Sequence, residues 1–260
     1  MGKVSHRWLT PTGADAPTVS CNHVTEALGS VGSVRPSKQD MNTLGDQLFE
    51  SFCSLRGIEC KRIPEGQSKT PDYALRVGAH RLLAEVKTLE PNKEELEINV
   101  RRDRGEIVVG GGTPGERLRR EIRTANAQLK AVASAGRVPT LLAVFNNTGC
   151  SIHTDPYSVM TAMQGLDVID VSVPSDPARS PTFGPTHSGP ERAMRRDANT
   201  STSALAVIYD LGSEGIHLTV FHNRHAAVPL SVDVLRIPGV AQFRLPENIA
   251  NSLEAPWSEA

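Results

Sequence analysis

Glu85-Val86-Lys87 lies inside residues 81–88, an apolar stretch that reads as a β-strand. Side chains alternate along a strand, so Glu85 and Lys87 share one face while Ala84 and Val86 share the other. Residues 73–77 read as a second strand, and Gly78-Ala79 as a two-residue turn that joins the two into a hairpin. Pairing Val77 with His80 and counting outward places Asp72 opposite Glu85, within one residue of register. Directly opposed residues hold their β-carbons about 4.5–5.5 Å apart. Two carboxylates and an amine would then converge on one face. Carboxylates that close repel unless something positive lies between them. A divalent cation meets that need, and an all-oxygen ligand set favours Mg2+ or Mn2+ over zinc. Lys87 would orient or activate a water against a phosphodiester while the cation stabilises charge on the phosphoryl oxygens. The competing reading is a structural Glu85–Lys87 ion pair beside a turn-forming Asp72.

The elements that must position these residues can be read outward from the hairpin. A helix is expected over 42–56, with Leu44, Leu48, Phe52 and Leu55 along one face. Thr43 and Asp46 have capping spacing, and Gly57 is its stop. A first strand follows over 58–63. A second helix is expected from a capping box of Thr113 and Glu116, with Pro114 at the first helical position. Its stripe runs through Leu118, Ile122, Ala125 and Leu129, and Gly136 ends it. Residues 139–146 read as a buried strand. Between third strand and second helix, 90–112 is an insertion, with 97–101 and 106–109 forming a small hairpin around Asp103-Arg104-Gly105. Further on, a short helix over 156–165, a strand over 168–173, a long surface loop over 174–202 and a final hairpin of 203–211 with 216–222 complete the reading.

Pro71-Asp72, a short gap, then Glu85-x-Lys87 resembles the PD-(D/E)XK nuclease superfamily, also called restriction endonuclease-like. The resemblance covers about residues 39–150. It implies an α/β core of helix, three-strand meander, helix and strand, the order read above, here followed by a C-terminal β-rich extension. It further implies that Asp72 and Glu85 bind Mg2+ (or Mn2+) and that Lys87 is the catalytic lysine. Many members add an acid from the first helix, and Asp46 and Glu50, one turn apart, are both candidates for that ligand. Gln128 and Lys130 on the second helix are similar in placement to a glutamine found in some branches. Arg117 and Arg120 on that helix, with Arg101 and Arg102 in the insertion, are candidate phosphate contacts. The implied partner is nucleic acid, DNA first, and the implied activity is phosphodiester hydrolysis. A homodimer would suit double-strand cleavage. The alternative is a non-catalytic binding or scaffold module with a vestigial site.

The whole chain sets bounds on these readings. With 38% hydrophobic and 22% charged residues, the composition is that of a globular protein, and 28 basic against 29 acidic residues argue against a strong nonspecific polyanion binder. No apolar run approaches the roughly 20 residues that cross a bilayer. The N-terminal segment is expected to carry neither a signal peptide nor a myristoylation signal, since His6 stands where Ser or Thr is needed. Four scattered cysteines without paired zinc spacing fit a reducing cytoplasm. The expected domains are a loose arm over 1–38, the core over 39–150, and an extension over 151–260 packed on it. Two other signals carry less. The glycine run 110–112 lacks the Gly-Lys-Ser/Thr ending of a phosphate loop, and His217, His222 and His225 lack metal-ligand spacing with nearby acids.

Overall fold

A computed structural model describes residues 42–64, 70–110, 112–165, 167–176, 178–189, 191–244 and 258–259. The arm over 1–38 lies outside the described residues. The first helix, α1 (Leu44–Leu55), opens with the expected capping box: Thr43 Oγ1 accepts from Asp46 N, and the Asp46 carboxylate accepts from Thr43 N. Its C-terminal turn closes at Gly57, whose φ of +65° suits glycine. The buried face is Gly45, Asp46, Phe49, Phe52 and Cys53 rather than the leucine stripe; Leu44 and Leu55 are exposed. Gly45 explains the rotation. A β-carbon there would lie 2.5 Å from Thr88 Oγ1 and 3.2 Å from Phe145 Cβ, so only glycine lets this face come down on the sheet.

Strands β1 (Glu59–Arg62), β2 (Tyr73–Val77) and β3 (His80–Leu89) form an antiparallel meander. The insertion that follows is not a hairpin but a helix, α2 (Lys93–Asp103). Asn92 and Glu95 make a capping box, Glu94 and Glu95 occupy the first turn, and Arg101 and Arg102 the last. Charges so placed complement the helix dipole, and they outweigh the weak alternation that suggests strands. The long helix α3 (Glu116–Gly136) begins after Thr113 and Pro114, not on them. Those two residues form a turn in which Thr113 O accepts from Glu116 N, and Arg119 N donates to Gly115 O. Gly115 holds φ +72°, and a β-carbon there would lie 2.6 Å from Ser158 O and from Ala162 N.

Strand β4 (Thr140–Asn146) runs parallel to β3, and the short helix α4 (Pro156–Gln164) follows. Residues 174–202 are more than a loop. Within them β6 (Thr182–Ser188) pairs with β5 (Asp167–Ser172) in a separate two-stranded sheet. Ala193 and Met194, from the same segment, are buried, and their N–H groups bond Ala162 O and Met163 O at 2.9 Å. Apolar burial and backbone pairing thus offset a turn-rich composition. Strands β7 (Ala204–Asp210) and β8 (Ile216–His222) form the expected hairpin. Two further strands, β9 (Val240–Arg244) and β10 (Ser258–Glu259), were not legible in the sequence.

Among the described residues the larger sheet is mixed and eight-stranded, in the order β1-β2-β3-β4-β7-β8-β9-β10. Strands from both sides of residue 150 therefore share one sheet. One face carries α1, with Phe49, Phe52, Tyr73, Ala84, Val86, Ala143 and Ala206 in a common core. The opposite face carries α3 and α4, with Leu118, Ile122, Leu129, Leu142, Val144, Met163, Leu205 and Phe221. No helix among the described residues is long and apolar enough to cross a membrane.

Candidate metal and phosphodiester site

The hairpin register pairs Val77 with His80 and Tyr73 with Ala84, so Asp72, one step further, stands opposite Glu85. Asp72 Oδ2 accepts from Val86 N at 2.8 Å, which fixes the carboxylate beside β3. Glu85 is fully buried, and its Oε1 lies 2.5 Å from Lys87 Nζ. Its other oxygen, Oε2, is buried and accepts no hydrogen bond from any fixed donor. A proton shared with the neighbouring Asp72 carboxyl, a buried water or a bound cation would satisfy that oxygen.

The electrostatics follow from this placement. Burial, reinforced by the Asp72 charge and only partly offset by Lys87, pushes the Glu85 carboxyl up to about 7. Burial also raises Asp72, against the hydrogen bond from Val86 and the charge of Lys87. Lys87 is the solvent-facing member, its side chain 24% exposed. Two crowded carboxylates and a spare buried oxygen therefore present an acceptor pair with a cationic head beside it.

The α1 acids sit elsewhere. Glu85 shares its level in the sheet with Leu142, Leu205 and Phe221, all on the α3 face, whereas Asp46 and Glu50 lie on the α1 face. Tyr73 Oη lies 3.0 Å from Asp46 Oδ1 and 2.8 Å from Glu50 Oε1, and Arg62 reaches each carboxylate at 3.8 Å. Burial first, then these two acids, raises the Tyr73 phenol, so it serves as a proton donor shared between them. Asp46 also completes the α1 capping box with Thr43. Its charge reaches Asp72 but its carboxylate does not join the Asp72–Glu85 pair. Among the described residues no three His, Cys, Asp or Glu side chains gather into one metal-binding group.

Most of the candidate phosphate contacts are committed internally. Arg117 pairs with Glu95 at 2.7 Å and donates to Glu90 O, with its side chain only 17% exposed. Arg101 pairs with Glu106 at 2.8 Å, and Arg102 donates to Gly149 O at 3.0 Å. Arg120 contacts Glu121 at 3.2 Å but stays open to solvent. Gln128 is half-buried and Lys130 exposed on α3. The reason is α2: as a helix it presents its basic last turn to the 148–149 loop, and its Glu95 meets both Arg117 and His153. The Asn92-to-Glu95 capping spacing is the sequence signal for that helix. His222 is buried against Gln242 Oε1 at 3.0 Å, and His217 bonds Glu214 O, so neither joins a metal cluster. Compared with protein family models, characterised proteins and solved structures, the chain matches none.

Proposed function

We propose that this chain is a Mg2+-dependent nuclease that hydrolyses phosphodiester bonds, DNA first, through a PD-(D/E)XK arrangement of Asp72, Glu85 and Lys87. The observation that carries the reading is the unpartnered buried Glu85 Oε2 beside the Asp72 carboxyl, with Lys87 on the same strand face. The order α1, β1, β2, β3, α3, β4, with α2 added between β3 and α3, supports it. The residues present fit a hard divalent cation. Mg2+ is commonly held by one or two carboxylates and completes its shell with waters and substrate phosphate, so two acids suffice. Asp72 and Glu85 would hold it, and when bound it would supply charge stabilisation to the phosphoryl oxygens. Lys87 holds its ammonium where an attacking water would be oriented, and Glu85 Oε1 fixes that ammonium in place. Tyr73 and Arg62 hold Asp46 and Glu50 together on the α1 face.

The test is cleavage of a mixed DNA and RNA panel with and without Mg2+. Lys87→Ala is expected to lower the rate by about 10²–10⁴-fold, the usual worth of a positioned proton-transfer group. Absence of cleavage, or equal cleavage by that variant, overturns the proposal. A second reading, a nucleic-acid-binding module without catalysis, is favoured by one observation: the α1 acids are tied to Tyr73 and Arg62 rather than to a metal group. Calorimetric titration with Mn2+ separates the two, since the catalytic reading requires binding that Asp72→Ala and Glu85→Ala abolish.

A further inference from the structure

Two segments remote in sequence meet beyond the ends of β7 and β8. Ala227 N donates to Thr200 O at 2.8 Å, and Asn223 Nδ2 donates to Thr202 O at 2.8 Å, which pins residues 223–227 against 199–202. A turn closed between Arg195 and Ala198 brings 192–196 to the same place. Arg192, Arg196 and Arg224 are all exposed there, and Arg224 Nε donates to His225 Nε2 at 3.2 Å. The nearby acids are already committed: Asp197 pairs with Arg195 at 3.2 Å and Glu191 with Arg119 at 3.0 Å. Among the described residues none of the three guanidiniums pairs with a carboxylate. Partial desolvation, then the charges of Arg192 and Arg196, lower the Arg224 guanidinium, and desolvation followed by the three arginines lowers His225. An anion bound among these like charges would relieve their repulsion.

We propose that Arg192, Arg196 and Arg224, with His225, form the surface that grips the phosphate backbone of the nucleic acid; the choice of nucleic acid rests on the nuclease reading above. Guanidinium forks match phosphate oxygens, and the three exposed heads come from two segments remote in sequence, which suits a polymer over a small anion. It also sits apart from the chemistry. Arg224 follows Phe221, which shares the level of Glu85 three strands away, a separation of at least roughly 14 Å at usual strand spacing. The surface is therefore an anchor, and its loss should weaken binding while leaving the bond-breaking step intact.

The experiment uses the full chain and a fluorescein-labelled random-sequence DNA duplex, with anisotropy read across a salt series. Removing three phosphate contacts with Arg192→Ala/Arg196→Ala/Arg224→Ala should weaken binding at least tenfold and flatten the log–log salt slope by about 2.7. A control of equal charge, Arg81→Ala/Arg104→Ala/Arg236→Ala, removes exposed arginines elsewhere and should change binding far less. Unchanged affinity in the triple variant, or equal loss in the control, overturns the proposal. Poly-glutamate that competes as well as DNA would move the surface to an acidic protein partner and also overturn it. Native chain that binds DNA without cutting it, with the triple variant defective, would sink the nuclease reading and leave this one standing. If cleavage occurs, the triple variant should raise KM with kcat retained.

Discussion

Glu85→Gln is expected to make the metal-free protein more stable, a result opposite to that of most buried substitutions. The side chain is fully buried, and its carboxyl is raised from an ordinary 4.5 to about 7, chiefly by burial and then by Asp72. The native state thus holds the proton more tightly than the unfolded chain does. The associated stability is complete below the unfolded value and is lost as pH rises through about 7. At about 1.4 kcal/mol per tenfold, ionising this carboxyl in place costs roughly 3 kcal/mol. Glutamine keeps the volume and removes the charge. It also frees Lys87, whose head is partly exposed and can rehydrate, so the net gain at ~pH 8 should be roughly 1–3 kcal/mol. The assay is urea unfolding with chelator present, at ~pH 5 and ~pH 8, comparing native and variant chains. The variant's advantage must grow with pH. A variant that is less stable than native at ~pH 8, or a gap that does not widen from ~pH 5, would refute the reasoning that two crowded acids define this site.

Magnesium should act in the reverse sense: a concentration of 100 times Kd should stabilise the native chain by about 2.7 kcal/mol, and the Glu85→Gln chain by much less, in thermal melts. Gly115→Ala forces a β-carbon onto α4 backbone at a positive φ, so unfolding should show a loss of about 1–3 kcal/mol. Thr43→Ala removes one half of the α1 capping box and should cost about 1 kcal/mol by urea titration. Leu205→Ala, at a position without solvent exposure between β4 and β8, should cost about 2–5 kcal/mol.

The hairpin register was legible because alternation and a two-residue turn leave little freedom once Val77 and His80 are paired, and that alone sets Asp72 against Glu85. Leu118, Ile122, Ala125 and Leu129 likewise declared their burial through helical spacing. Other features depend on contacts distant in sequence. The turned face of α1 follows from Thr88 and Phe145 meeting Gly45, some forty and one hundred residues away. The strand at 182–188 lacks any apolar pattern, and the arginines at 192, 196 and 224 come together only through backbone pairing. Helix α2 has the largest effect on the site, because Arg101, Arg102 and Arg117 find their partners only once 93–103 is helical and not a hairpin.

Helix α2 has no buried residue, and Leu96 and Val100 remain about half exposed. Polar contacts fasten it: Glu95 to Arg117 and His153, Asn99 to Thr148 O, and Arg102 to Gly149 O. Such an element adds little to the collapse that limits folding. Substitutions within it should change how fast the chain comes apart and leave the rate of assembly nearly untouched. Burial opposes the charge on Glu95, yet the hydrogen bonds from Asn92, Arg117 and His153 hold its carboxyl below the usual range, so this fastening loosens as pH falls through that lowered value. In acid the amides of α2 should therefore exchange hydrogen while those of β3 and β4 stay protected, with the helix opening as a unit of its own on an intact sheet.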